Sequence, residues 1–302
     1  MIEEIVLRNK TLSQSITLNK NASAFLLDDD QAIDWGTVTA NISTYTSTTR
    51  VGVGINNVSV SQGRKIAIVG WMINDDLGTI EDKKKQLNVF CNPFDEIQIE
   101  AGKYKIDARF EQAIKYTTKN NENNDIICKF LMYLFCSDPL FTLITPEEAS
   151  DFVVYQKSFT FPWIWVQPEE IVFGLRHGLD NFALQNNGTI STGFRAYLYI
   201  GGNTTGLTIT NHTTGEIFKL KSTVTLEEGD IIYIDTIEGS KTLKSGTSLD
   251  NLENAFSALD LSSDFIQVIP GDNYISITAT QGFDAISAQF YVEPLFYALG
   301  EQ

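Results

Sequence analysis

The chain has 302 residues and a mass of 33.7 kDa, room for two ordinary domains. Hydrophobic residues make up 43% and charged residues 20%, the balance of a folded chain with a substantial core, which excludes an intrinsically disordered one. With 22 basic against 38 acidic residues the net charge is -16, which excludes a surface built to neutralise phosphates and leaves an acidic surface that solvates the protein or repels nucleic acid.

Glu4 to Leu18 reads as two short strands about a turn. Ala22 to Trp35 follows as a less regular acidic segment, and Thr37 to Arg50 as a Thr/Ser-rich stretch without strong periodicity. From Lys65 the alternation of Lys65, Ala67 and Val69 with Ile66, Ile68 and Gly70 predicts a strand reaching Trp71. Thr79 is placed to cap a short helix, with Glu81 and Asp82 in its first turn and Lys83 to Lys85 further along, an order of charge that suits the helix dipole. Asn92-Pro93 should end it. Three strands are predicted next: Glu96 to Glu100, Tyr104 to Phe110 and Ile126 to Phe135. The glycine-containing turn Ala101-Gly102-Lys103 joins the first two, and the polar run Thr117 to Asp125 is expected to project into solvent. In the third strand Cys128, Phe130, Met132, Leu134 and Cys136 share one face and Ile127, Leu131 and Phe135 the other, so both faces are expected to be buried.

Thr145 to Asp151, with Pro146, is the expected linker, and it divides the chain into residues 1–148 and 149–302. The second half reads as short strands with turns at the spacing of a β-sandwich or jelly roll. Phe194 to Ile200, Leu207 to Thr210, Glu216 to Leu220, Asp230 to Asp235, Phe265 to Ile269, Tyr274 to Thr280 and Ser287 to Tyr297 are its predicted strands. Leu249, Leu252, Phe256 and Leu259 fall at near-helical spacing, and Pro270-Gly271-Asp272-Asn273 reads as a turn.

Little in the chain points to bond-making chemistry. Cys91, Cys128 and Cys136 form an odd set without C-x-x-C spacing, and with two histidines beside them neither a disulfide framework, a zinc site nor any cofactor is indicated. His212 lies in a predicted turn, and His177 has no nucleophile-elbow pattern near it. Asp28-Asp29-Asp30 with Asp34 lacks the glycine and distal glutamate of a calcium loop, so it reads as a solvated acidic loop. Asp235-Thr236 lacks the glycine of an aspartic-protease motif, since Ile237 follows. Abundant carboxylates leave a glycosidase pair open without pointing to one. Met1 to Asn9 shows no signal-peptide pattern, so synthesis in the cytoplasm is expected; the apolar run Ile126 to Cys136 falls far short of the ~20 residues that span a bilayer, so no membrane insertion is expected. Phe159, Phe161, Trp163 and Trp165 alternate with other residues and share one face of any strand they form. Trp163 and Trp165 are therefore candidate interface or ligand aromatics.

Several of these segments, in this order, resemble the siphophage distal tail family. They are Arg64-Lys65-Ile66 through Lys83 to Leu87, Gly102-Lys103-Tyr104, and Phe135-Cys136-Ser137-Asp138-Pro139-Leu140-Phe141 in the first half. Phe159 to Pro162, Thr214-Gly215-Glu216, Ile234-Asp235-Thr236 and Pro270-Gly271-Asp272-Asn273 follow in the second. The resemblance implies a mainly β protein: a tail-tube-like β-sandwich or barrel domain with a short helix, then a galectin-like jelly-roll β-sandwich. It implies a non-enzymatic structural protein of the virion tail tip, a homo-hexameric ring joining tail tube to baseplate and lining a channel through which DNA passes without specific binding. The implied partners are the tail tube protein, the tape-measure protein, the tail hub or tail-associated lysin, and a receptor-binding protein. The alternative is a carbohydrate-binding adhesion module using Trp163 and Trp165.

Overall fold

The computed structural model describes residues 3–21, 24–28, 32–38, 40–46, 53–60, 63–76, 78–145, 150–152, 154–157, 174–177 and 181–300. The chain forms two compact units: residues 1–145 with 296–302, and residues 146–295. The sequence division carried the second domain to residue 302, whereas the last segment, from Phe296, belongs to the first unit.

In the first unit the strands are β1 (Glu4–Asn9), β2 (Gln14–Asn19), β3 (Phe25–Leu27), β4 (Ile33–Asp34), β5 (Ala40–Thr46), β6 (Val53–Val60), β7 (Arg64–Ile73), β8 (Ile97–Ala101), β9 (Tyr104–Phe110), β10 (Lys115–Tyr116), β11 (Ile127–Cys136) and β12 (Thr142–Leu143). One helix, α1 (Ile80–Phe90), follows β7. Seven strands run in the order β11-β7-β3-β2-β1-β8-β9, and β9 returns to β11 through Phe110↔Leu134 and Arg109↔Phe135, so the sheet closes into a barrel. Inward residues alternate along every strand: Ile5 and Leu7, Ile16 and Leu18, Ile66, Ile68 and Met72, Ile97 and Ile99 are all buried. Phe130 of β11 reaches across this interior, and a side chain at Gly70 opposite it would meet the Phe130 ring at 2.5 Å, so glycine is required there. Gly102, at φ 58°, makes the β8–β9 turn that the sequence predicts.

Closure corrects one expectation for β11. Cys128 to Cys136 point inward as read, but Ile127 and Leu131 are half-buried and Phe135 is exposed. A barrel strand has an inside and an outside; the both-faces-buried pattern belongs to sheets covered by layers on each side. The segment read as irregular, Ala22 to Trp35, supplies β3, which runs parallel to β2 and antiparallel to β7 and so links the two halves of the barrel.

Helix α1 starts as predicted. The Thr79 hydroxyl accepts from the Asp82 backbone N–H at 3.3 Å, and that hydroxyl's bond to the Asp82 carboxylate holds Asp82 below its ordinary pKa. Ile80, Lys83, Leu87 and Phe90 make the buried stripe, and the helix stops two residues before Asn92-Pro93. The lysines, however, do not serve the C-terminal end of the helix, where the last turn holds no basic residue. Lys83 turns inward instead, its ammonium donating to Ile73 O and Asp75 Oδ1, each at 2.6 Å.

In the second unit the strands are β13 (Ser150–Phe152), β14 (Val154–Lys157), β15 (Gly174–His177), β16 (Phe182–Asn186), β17 (Phe194–Ile200), β18 (Thr204–Thr205), β19 (Thr208–Asn211), β20 (Ile217–Lys219), β21 (Thr225–Leu226), β22 (Ile231–Asp235), β23 (Thr242–Gly246), β24 (Glu253–Asn254), β25 (Gly271–Thr278) and β26 (Ile286–Val292). A six-stranded antiparallel sheet, β13-β26-β17-β22-β23-β24, and a four-stranded one, β16-β25-β19-β20, share a single core. Phe194, Leu198 and Phe290 from the first sheet meet Leu184, Ile209 and Ile277 from the second, the arrangement of a β-sandwich.

Three expectations fail here, the first being the turn at Pro270-Gly271-Asp272-Asn273, where strand β25 already begins at Gly271. No α-helix forms at 249–259: Leu249 and Phe256 are exposed, Glu253–Asn254 joins the sheet edge, and only a 3-10 turn spans Phe256–Ala258. The Asn254 side chain accepts from Phe256 N at 2.9 Å, and Ser248 likewise caps Asp250, so local side chains compete with the helix for its backbone. Phe265 to Ile269 is no ladder strand either, although Ile266 and Val268 are fully buried. Three buried asparagines serve its backbone: Asn211 donates to Gln267 O, Asn186 to Val268 O and Asn273 to Ile269 O, at 2.9, 2.9 and 2.7 Å. Beyond the reciprocal backbone pair of Val268 with Thr192, side-chain amides serve the carbonyls that a neighbouring strand would otherwise meet.

Candidate functional site

The surface with the clearest unmet bonding capacity is the ribbon β5–β6. Its strands pair with each other from Ala40↔Val60 to Thr46↔Val53, with a register shift between Ser43 and Thr44, and among the described residues they pair with no other strand. Ile42 and Tyr45 on it are exposed, at 53% and 48%. From residue 37 to residue 60 the sequence carries one charge, Arg50. A ribbon of seven- and eight-residue strands with no partner strand among the described residues and almost no charge lacks the charged side chains by which proteins keep edges from pairing, and two strands alone are marginally stable in water.

The base of the ribbon is anchored firmly. Arg64, at the start of β7, is 2% exposed, and its hydrogen bonds go to backbone carbonyls. Its guanidinium donates to Pro139 O at 2.8 Å, to Trp35 O at 3.1 Å and to Tyr297 O, and lies 4.5 Å over the Phe141 ring. Burial pushes its pKa down. One side chain thus ties the segment before the ribbon, the segment after β11 and the C-terminal segment to one another. Phe141 and Phe296 complete the clasp with a reciprocal backbone pair at 3.0 Å.

Among the described residues, those read for chemistry are brought into no reactive group. Trp163, Trp165, Phe159 and Phe161 lie outside the described residues, as do Asp29 and Asp30. Asp28 pairs with Lys129 at 2.5 Å. The His212 ring nitrogen sits 2.8 Å from the Ser276 hydroxyl, a partner that sequence reasoning missed because register alone brings β25 beside the turn. No carboxylate is bonded to that imidazole among the described residues, and Ser276 is buried, so the pair fixes a turn. Asp235 accepts from Ser240 Oγ and Ile237 N, bracing a turn at the end of β22. Among the described residues no three His, Cys, Asp or Glu side chains gather as metal ligands.

All three cysteines are free and buried, and burial pushes the Cys91 and Cys136 thiols up to about 12. At neutral pH they are therefore held as thiols, which neither alkylate readily nor bind soft metals. Iodoacetamide at pH 7.5 should leave the native protein unlabelled and modify all three cysteines once urea unfolds it. Labelling of Cys91 or Cys136 at the rate of free cysteine would overturn that assignment.

Residues 187–291, which span the sandwich, match the model of the siphovirus-type tail component, C-terminal domain. That region resembles a siphovirus-type tail-component domain. No curated protein matches the chain. Among solved structures, SPP1 Dit (gp 19.1), described as a paradigm of the hub adsorption apparatus in phages infecting Gram-positive bacteria, matches at a TM-score of 0.62 and 14% identity over 97% of this chain and 99% of that one. The phage P2 baseplate in its activated conformation, solved with Ca and with Sr, gives TM-scores of 0.45 and 0.43 at 11% identity. The likeness to SPP1 Dit covers both units, so the fold is that of a distal tail protein, and the resemblance carried by the sequence segments holds. On this fold the open ribbon of the first unit is the feature that a solitary subunit leaves unexplained.

Proposed function

We propose that six copies of this chain close into a ring at the virion tail tip, joining the tail tube to the baseplate and enclosing a channel for DNA. The observation that carries the reading is the ribbon β5–β6, whose uncharged edges have no partner strand within the described chain. In a ring each ribbon pairs with its counterpart on the next copy, and closure leaves no edge unpaired. The barrel supports this placement of the channel. Its interior is filled by side chains, as small barrels are, so a passage has to lie between copies and not through one. A net charge of -16 suits walls past which DNA slides without adhering.

In the same reading the ring contacts the tail tube protein above it, the tape-measure protein, the tail hub or tail-associated lysin below it, and a receptor-binding protein at its periphery. Trp163 and Trp165 belong to one of these contacts, and no bond-making chemistry is assigned to the chain. Light scattering behind a sizing column tests the ring: the purified chain should elute at six times 33.7 kDa and appear in negative stain as a ring with a central hole. A particle that stays at the mass of one chain at high concentration ends the proposal.

A further inference from the structure

Strand β16 runs into the one Asn-Gly step of the sequence, Asn187-Gly188. An asparagine before glycine is the step most open to attack by its own chain, because the glycine nitrogen, with no side chain beside it, reaches the neighbouring carboxamide carbon. Asn187 is exposed and lies outside the strands, but the turn around it is held on two sides. Gly188 N–H donates to Asn186 Oδ1 at 2.8 Å, and Asn186, 1% exposed, is fixed in turn by donating to Ile190 O and Val268 O, each at 2.9 Å. Thr189 N–H donates to Leu295 O at 2.8 Å. A Cβ at position 188 would lie 2.7 Å from both the nitrogen and the oxygen of Leu295, so the fold demands glycine there and with it the reactive step.

We propose that Asn187 is a latent deamidation site whose reaction is gated by the Asn186 side chain. While the Gly188 amide hydrogen is shared with Asn186 Oδ1, the nitrogen neither loses its proton nor turns toward the Asn187 carboxamide, and the backbone of Leu295 leaves the turn no room to shift. Reaction waits for the turn to open, so its rate in the folded chain is the unfolded rate multiplied by the open fraction. The chemistry needs no reagent but water. Gly188 N gives its proton to solvent and bonds to Asn187 Cγ, the Cγ–Nδ2 bond breaks, and ammonia leaves. Water then opens the cyclic imide at either carbonyl, leaving aspartate or its β-linked isomer at position 187. The β-linked product adds a carbon to the main chain, which displaces Gly188 N–H from Asn186 Oδ1, so a turn that has reacted no longer closes as before. The site belongs to the second unit alone and does not depend on the ring.

Peptide mass mapping of the full chain held in mildly alkaline buffer, with and without urea, tests this. In urea the peptide containing Asn187 should gain the mass of an amide-to-acid exchange before any other asparagine peptide does, and Asn187→Gln should abolish that gain. The folded chain should react at least about tenfold more slowly, the equivalent of an opening that costs ~1.4 kcal/mol. Amide hydrogen exchange gives a second readout: Gly188 N–H should be slowed by the same factor as deamidation, within about threefold, because one opening exposes both. Asn186→Ala removes the gate and should bring the folded rate to within about threefold of the rate in urea. Asn186 also serves two carbonyls, so circular dichroism checks that the variant folds; if it does not, the comparison of exchange with deamidation in the native chain decides alone. Deamidation of the folded chain at the urea rate overturns the gate, as do exchange of Gly188 at the rate of an exposed amide or a folded Asn186→Ala chain that stays slow. Absence of reaction at Asn187 in urea overturns the site.

Discussion

A chain in which residues 40–60 are replaced by a short Gly-Ser loop should run as a folded monomer, a sixfold fall in mass from the proposed ring. The shortened chain keeps its barrel because neither β5 nor β6 enters it; closure runs through β9 and β11. Ala40 and Val60 are paired, so their backbones lie about 5 Å apart and a few residues bridge them without strain. What disappears is the pair of open edges, and with them the means of joining one copy to the next. A gentler variant with Ile42→Lys and Tyr45→Lys places charge on the exposed ribbon, the device that natural edge strands use against pairing. It should shift the ring toward monomer in a salt-dependent way, since added salt screens the repulsion between neighbouring lysines. A loop-shortened chain that still sizes as six copies would falsify the role of the ribbon, whatever the native mass.

Replacing Arg64 by methionine should lower the stability of the first unit by ~3 kcal/mol, a fall of roughly 6 to 12 °C in its melting temperature. Three backbone carbonyls lose their donor at once: Pro139 O, Trp35 O and Tyr297 O. A buried acceptor left without a partner costs more than the bond itself contributes, because water that would serve it in the unfolded chain has no access. The Phe141 ring loses its cation as well. Arg64→Lys should recover only part of the loss, since a single ammonium on a flexible stem cannot reach three carbonyls that the planar fork spans. Limited proteolysis gives a second readout, because the segment after Phe296 is held by this side chain and should be trimmed from the methionine variant first. Melting and trimming indistinguishable from the native protein would show that the clasp is dispensable.

The parts of the barrel that were readable are those with strong local signals. Tyr104 to Phe110 and Phe194 to Ile200 appear with the predicted bounds, because each alternates inward apolar with outward polar residues and ends in glycine or a charged turn. The Thr79 cap is equally local, a hydroxyl placed three residues before an N–H it can serve. Illegible elements share a different property. Strand β3 is three residues long, too short to show a period, and its place is set by neighbours 43 or more residues away along the chain on one side, such as Met72 beside Phe25. The ribbon shows no apolar alternation because Ile42, Ser43, Thr44 and Tyr45 are all exposed, and a strand wet on both faces leaves no two-residue signature. Residues 249–259 mimicked a helix through spacing alone, while Ser248 and Asn254 bonded their own backbones. The tyrosines of the six-stranded sheet were equally hidden: Tyr197, Tyr233 and Tyr291 are far apart in sequence, and register alone brings them together.

By itself the sequence determined that this is a mainly β, two-part, acidic chain, and the order of its turns and strands pointed to the distal tail family. Those properties depend on composition and on contacts between near neighbours, where side-chain period and turn geometry act within a few residues. The closure of β9 onto β11, the parallel placement of β3, the return of Phe296 to the first unit and the gathering of tyrosines on one sheet face were decided only in three dimensions. Apart from the β2–β3 contact, each joins residues separated by long stretches of chain, and which of the many sterically allowed pairings forms is set by how all the inward faces together exclude water.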